Sequence, residues 1–210
     1  MNRLTLAGVT PVSGAAHRGT LSASGDASSA PDARPCPYPM GLMAVLATVA
    51  MLFASFTAAV LIRRSGADWV PVTLPSIVWA NAAVILLSSA LVEVARASLK
   101  RTDSAFTPTW LIAGGALGLL FLAGQVVTWM RLIEQGVFLP SSPHASFFYM
   151  LSAIHGAHVI GGLGALLWTT NRAFKGAYTA SAHTGLTHAA IFWHFVGALW
   201  IYLLILLSVA

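Results

Sequence analysis

Apolar residues run almost unbroken through most of this chain, and the breaks between the runs are short. Five stretches stand out, at Met40–Ile62, Ser76–Ala95, Thr109–Ile133, Ala145–Thr170 and Gly185–Val209. Each is about 20 residues or longer, enough to cross a hydrocarbon layer about 30 Å thick as an α-helix. A helix satisfies its own backbone polar groups, which lipid cannot do, so helices are the form predicted for all five. Breakers mark the connections: Pro71, Pro75, Pro108, Pro140, Pro143 and Gly176. Residues 1 to about 39 differ. They are rich in Ala, Ser, Gly and Pro and show no apolar period, which predicts a mobile tail. That tail contains no apolar core of a secretory signal.

Composition supports the membrane assignment. The chain has 210 residues, of which 57% are hydrophobic and only 8% charged. A soluble domain carries about 25% charged residues. The net charge of +5 stands on no basic module and gives no sign of nucleic-acid binding. It is better read as topology. With the N-terminus cytoplasmic, the inner segments hold Arg3, Arg18, Arg34, Arg96, Lys100, Arg101, Arg172 and Lys175, and the outer ones hold Arg63, Arg64 and Arg131. That asymmetry favours N-inside and C-outside, and it narrows to five against three when the tail is set aside. Trp69, Trp110, Trp129 and Trp168 lie near span ends, where indoles suit the interface. Cys36 is the sole cysteine, so neither an intrachain disulfide nor a thiolate cluster can form.

Small residues predict where helices approach each other. Gly114 and Gly118 form a GxxxG pair; Ala157, Gly161 and Ala165 repeat at four-residue spacing, as do Ser152 and Gly156.

Polar groups inside the spans are the candidates for function, because hydrocarbon disfavours them. His155 and His158 are three apart and share a helix face; His188 and His194 lie on the last helix. Two helices each offering an imidazole, such as His158 and His194, could clamp a haem as a bis-histidine cytochrome b. The same imidazoles could instead hydrogen-bond neighbouring helices and hold the bundle together. Glu93 and Arg96, like Arg131 and Glu134, have the spacing of pairs across one helical turn. Gln125 is polar at mid-depth, which predicts an interhelical hydrogen bond. No span carries a row of carboxylates, and no phosphate loop or nucleophile elbow is present. A small transporter would show inverted repeats, which this chain lacks.

The pattern Ser146-Phe-Phe-Tyr-Met-Leu-Ser-Ala-Ile-His155-Gly-Ala-His158-Val-Ile-Gly-Gly, with Phe192-Trp193-His194-Phe195-Val196 and Trp200, resembles subunit III of the haem–copper oxidases. Trp69-Val-Pro71, Leu74-Pro75, Asn81, Ser88-Ser89, Gly118 to Gln125, and Glu134-x-Gly136 extend the resemblance from about residue 40 to the end. The resemblance implies the five-helix short form, an all-α membrane protein with its N-terminus cytoplasmic. It implies an accessory subunit that holds no haem or copper itself. Those cofactors would belong to the partner subunit I, with subunit II and phospholipids as further partners. The complex would reduce oxygen and pump protons, with cytochrome c or quinol as donor. Under this reading His155, His158, Trp193 and His194 make interhelical or lipid contacts, and Arg96 and Arg172 meet lipid phosphates.

Three positions depart from the family pattern. Thr48-Val49 replaces a Ser-Glu pair, the stretch Gln125-Val-Val-Thr128 lacks the acid that often follows the glutamine, and Gly197 takes the place of an aspartate after His-Phe-Val. These losses favour a scaffold over a proton-collecting role. They also raise the alternative of a subunit III relative that accompanies nitric oxide reductases.

Overall fold

A computed structural model describes residues 40–100, 106–176, 178 and 184–209. The tail predicted over residues 1–39, with Cys36, lies outside these. The described residues form five α-helices: α1 (Met40–Arg63), α2 (Ile77–Lys100), α3 (Thr107–Glu134), α4 (Pro143–Phe174) and α5 (Thr184–Val209). All five are long and apolar enough to span a membrane. At 1.5 Å per residue, the 24 residues of α1 give about 36 Å and the 32 residues of α4 about 48 Å.

The termini differ from the sequence expectation for local reasons. Pro108 and Pro143 do not lie in linkers but in the first turns of α3 and α4. There the missing N–H costs nothing and the fixed φ suits the helix. Ser142 caps α4, its hydroxyl accepting from the Ala145 N–H at 3.2 Å. α2 runs past Ala95 because Arg96 pairs back to Glu93 and Leu99 is buried. Gly136 and Gly176, with φ of 77° and 65°, follow the ends of α3 and α4. Left-handed backbone there is cheap only for glycine.

α2, α3, α4 and α5 form a ring in which each helix packs on two neighbours, and α1 leans only on α4 and α5. A side-chain hydrogen bond ties α1 to α5, between Thr57 and Tyr202 at 2.8 Å. The burial pattern suits lipid. Asn81, Ser88, Gln125, Thr128, Ser152, His155 and Thr169 are buried, whereas Leu87, Leu119, Ile160, Leu167 and Ile205 are more than half exposed. Surrounding lipid is as apolar as leucine, so packing and interhelical hydrogen bonds hold such a bundle.

Two glycines make a matched test. Gly136→Ala forces an L-residue into positive φ and is expected to lower stability by about 1 kcal/mol. A Cβ at Gly115 meets nothing within 4 Å, so Gly115→Ala should be neutral or slightly stabilising. Thermal unfolding of the purified chain in detergent distinguishes the two.

Candidate functional site: polar clamps in the helix ring

Trp193 of α5 lies at the centre of the ring and is 1% exposed. Its indole N–H donates to the Ser88 hydroxyl of α2 at 3.1 Å, and Ser88 donates on to the Gly114 carbonyl of α3 at 2.7 Å. The ring fits where two glycines leave room. A Cβ at Gly118 of α3 would come within 2.7 Å of the indole, and one at Gly162 of α4 within 2.9 Å. One side chain therefore joins four helices. Of the predicted GxxxG pair, Gly118 seats the indole, while Gly114 lets α3 approach α2, a Cβ there lying 2.9 Å from Val92. The stripe predicted on α4 does not. Ala157 and Gly161 are exposed, and Gly161 has nothing within 4 Å. The close approach is made by Gly162, one residue and about 100° further round the helix.

His194 follows Trp193 and turns to α2. Its Nε2 lies 3.3 Å from Glu93 Oε2, and its Nδ1 lies 2.7 Å from the Ser89 hydroxyl. An ionised carboxylate only accepts, so Nε2 donates to it, and in the neutral imidazole the serine donates to Nδ1. Glu93 also accepts from Arg96 at 2.7 Å, the pairing that the sequence predicts. No carboxylate sits near His194 in sequence; the fold supplies one from another helix. Gly197 stands beside this group, its virtual Cβ 3.6 Å from the Ser89 hydroxyl oxygen.

The other two singled-out histidines behave differently. His155 is fully buried but makes no hydrogen bond among the described residues, which corrects the expectation of an interhelical one. It packs by its ring, stacked on Trp200 at 5.0 Å and edge-on to Phe121 at 5.9 Å. His158 bonds within its own helix, Nδ1 donating to the Ile154 carbonyl at 2.8 Å. Its contact with another helix is an edge-to-face approach to Phe53 of α1 at 5.7 Å. His158 thus faces α1 while His194 faces α2, with both nitrogens of His194 already engaged. These two imidazoles do not converge to clamp a haem. Gln125 is 4% exposed and also lacks the predicted partner among the described residues. His188 is half-buried beside Leu42 and Trp168.

At the end bearing Arg63, a clamp built on His144 has no obvious sequence signal, because Pro143-His144 reads as a connection. Its Nδ1 accepts from the Val72 N–H at 3.1 Å, so Nε2 donates to the Leu207 carbonyl at 3.0 Å. Trp69 meets its ring edge-on at 5.2 Å. The α1–α2 loop, α4 and α5 are joined there. Nearby, the Arg63 guanidinium hydrogen-bonded to Asp68 holds that exposed carboxyl below the usual carboxylate range. Arg131 pairs with Glu134 at 3.4 Å, as its spacing predicts. At the opposite end the Arg172 guanidinium lies over the Trp168 ring at 5.0 Å and over Tyr178 at 5.9 Å.

The clamp makes Gly118→Ala an overpacking change, expected to cost about 1–3 kcal/mol. Trp193→Ala removes the filled volume and the hydrogen bond and should cost about 3–5 kcal/mol. The loss of cooperative thermal unfolding in detergent, followed by near-ultraviolet circular dichroism, measures both.

Comparison with known proteins agrees with this architecture. The family model described as cytochrome c oxidase subunit III matches residues 40–209, the whole five-helix body. The chain is 30% identical over 204 residues to a protein named cytochrome c oxidase subunit 3 from Thermostichus vulcanus, covering 91% of this chain and 98% of that one. It is 32% identical over 169 residues to a protein of the same name from Synechocystis, covering 77% and 70% respectively. A probable cytochrome c oxidase subunit 3 from Mycobacterium leprae is 30% identical over 172 residues, covering 80% and 85%. With its five membrane-spanning helices and a family match along all of them, this chain belongs to the cytochrome c oxidase subunit III family.

Proposed function

We propose that this chain is a non-catalytic, multi-pass subunit of a haem–copper oxidase in a bacterial-type cytoplasmic membrane. The single observation that carries the reading is the subunit III match over residues 40–209. Family membership makes the chain an accessory component of such an oxidase. The finer role proposed is mechanical: it covers subunit I within the bilayer, beside subunit II, and orders phospholipids there. Haem and copper belong to the catalytic partner in this account, and the chain's own N-terminus faces the cytoplasm. The names of the relatives favour an oxidase over a nitric oxide reductase as the complex served.

The clamp geometry supports a scaffold. Trp193, His194, Glu93 and His144 spend their hydrogen bonds on neighbouring elements of the same chain. Lipid contact has support too. A groove of about 550 Å³ between α3 and α4 is lined by Leu111, Leu119, Ile160, Leu163 and Leu167 and suits an acyl chain. Arg96 and Arg172, at one end of the bundle, are proposed phosphate contacts.

α1 is the helix held least, and His158 is one of the side chains that meet it. His158→Ala should therefore reduce the fraction of complex assembled in native gels at least twofold. The haem absorbance of each complex that does assemble should not change. A haem band present in the chain purified alone, and lost in His158→Ala, would contradict the scaffold reading.

A further inference from the structure

Three side chains on three helices reach one level of the bundle with polar atoms that no group among the described residues serves. They are Gln125 of α3, with Oε1 and Nε2; His155 of α4, with Nδ1 and Nε2; and Trp200 of α5, with Nε1. Their exposures are 4%, 0% and 1%. His155 and Trp200 stack at 5.0 Å, and the Phe121 ring meets both, at 5.9 Å and 5.2 Å. Gln125 stands one turn beyond Phe121 on the same face of α3. Two contacts set the antiparallel register of α3 and α4: Phe121 against His155, and the Trp129 indole N–H donating to Ser152 at 3.0 Å. Gln125 lies midway between residues 121 and 129, and so opposite the α4 turn from Ser152 to His155.

Most other buried polar side chains of the ring are served. Asn81 donates to the Phe121 carbonyl, Thr128 to Gly124 and Thr169 to Ala165. The cluster of Gln125, His155 and Trp200 is thus a local exception, and each buried unsatisfied group calls for an explanation. Lipid tails offer no donor or acceptor. A metal ion needs several ligands converging, and no group of three His, Cys, Asp or Glu side chains suited to one occurs among the described residues. The chemistry is instead that of water. An indole only donates, a carboxamide donates and accepts, and a neutral imidazole does one of each. A water molecule takes two to four such bonds and offers both roles.

We propose that Gln125, His155 and Trp200 form a buried water site inside the membrane-spanning ring, holding one or two ordered water molecules. The Trp200 indole N–H donates to a water oxygen, and that water donates to the carboxamide oxygen or the unprotonated imidazole nitrogen. The site accounts for the buried polar side chains at these positions of three helices. It does not depend on the functional reading above, because the hydration of the core can be measured on the chain itself.

The test uses the full chain in mild detergent with 15N-labelled tryptophan. The Trp200 indole resonance is assigned by its loss in Trp200→Phe. Cross-relaxation from water protons to that indole proton is expected, and its absence would overturn the proposal. The His155→Phe and Gln125→Leu variants give an independent reading. If water bridges the groups, each single change lowers the unfolding midpoint by about 2–4 °C. The double change then costs less than the sum of the two. If the cluster is dry, each change raises the midpoint and the effects add, which would contradict the site.

Discussion

The seating of Trp193 between two glycines is the constraint from which the rest of the bundle follows. In a bilayer no hydrophobic gain drives one helix against another, so close packing and hydrogen bonds must do it. The indole occupies the room left at Gly118 and Gly162 and donates to Ser88, so α5 is fixed in depth and rotation against α2, α3 and α4 together. Everything else on α5 takes its place from that setting. His194, the next residue, is turned to Ser89 and Glu93. Trp200, two turns on, lies against His155 and Phe121. Leu207, near the end of α5, presents its carbonyl to His144.

This arrangement accounts for polar groups in spans where they are costly. A clamp at mid-ring and another at the end bearing His144 tie together elements distant in sequence, and each side chain works because its partners are presented by another helix. The Glu93–His194 pair has a further bearing on the family pattern. An aspartate at the position of Gly197, which the family resemblance implies, would project toward Ser89, beside the same histidine. Here the carboxylate near His194 comes from α2 instead. Among the described helices α1 stands apart from the ring, in contact with α4 and α5, and much of its apolar surface is exposed.

The elements were largely legible in the sequence, because spans are set by length and hydropathy and both are local properties. The aromatic and histidine segments of α4 and α5 also carried the family, and the match over residues 40–209 agrees with them. Relations that depend on helix rotation were harder to read. The stripe of Ala157, Gly161 and Ala165 has the right spacing, yet the contact falls on Gly162, since spacing defines a face without saying where it points. Glu93 and His194 lie 101 residues apart, and only the packing of α2 on α5 joins them. His144 looked like part of a connection because its partners, the backbone of Val72 and of Leu207, have no signature in side-chain sequence.

The central claim is that this bundle is a cofactor-free scaffold in a complex whose redox centres lie elsewhere. The most direct test is to purify the tagged chain in mild and in harsh detergent and to measure haem and copper in each preparation. The account predicts a larger partner with haem and copper in the mild preparation, and a chain free of both once the partner is stripped away. Haem retained by the isolated chain, or a mild preparation containing only copies of this chain, would contradict it.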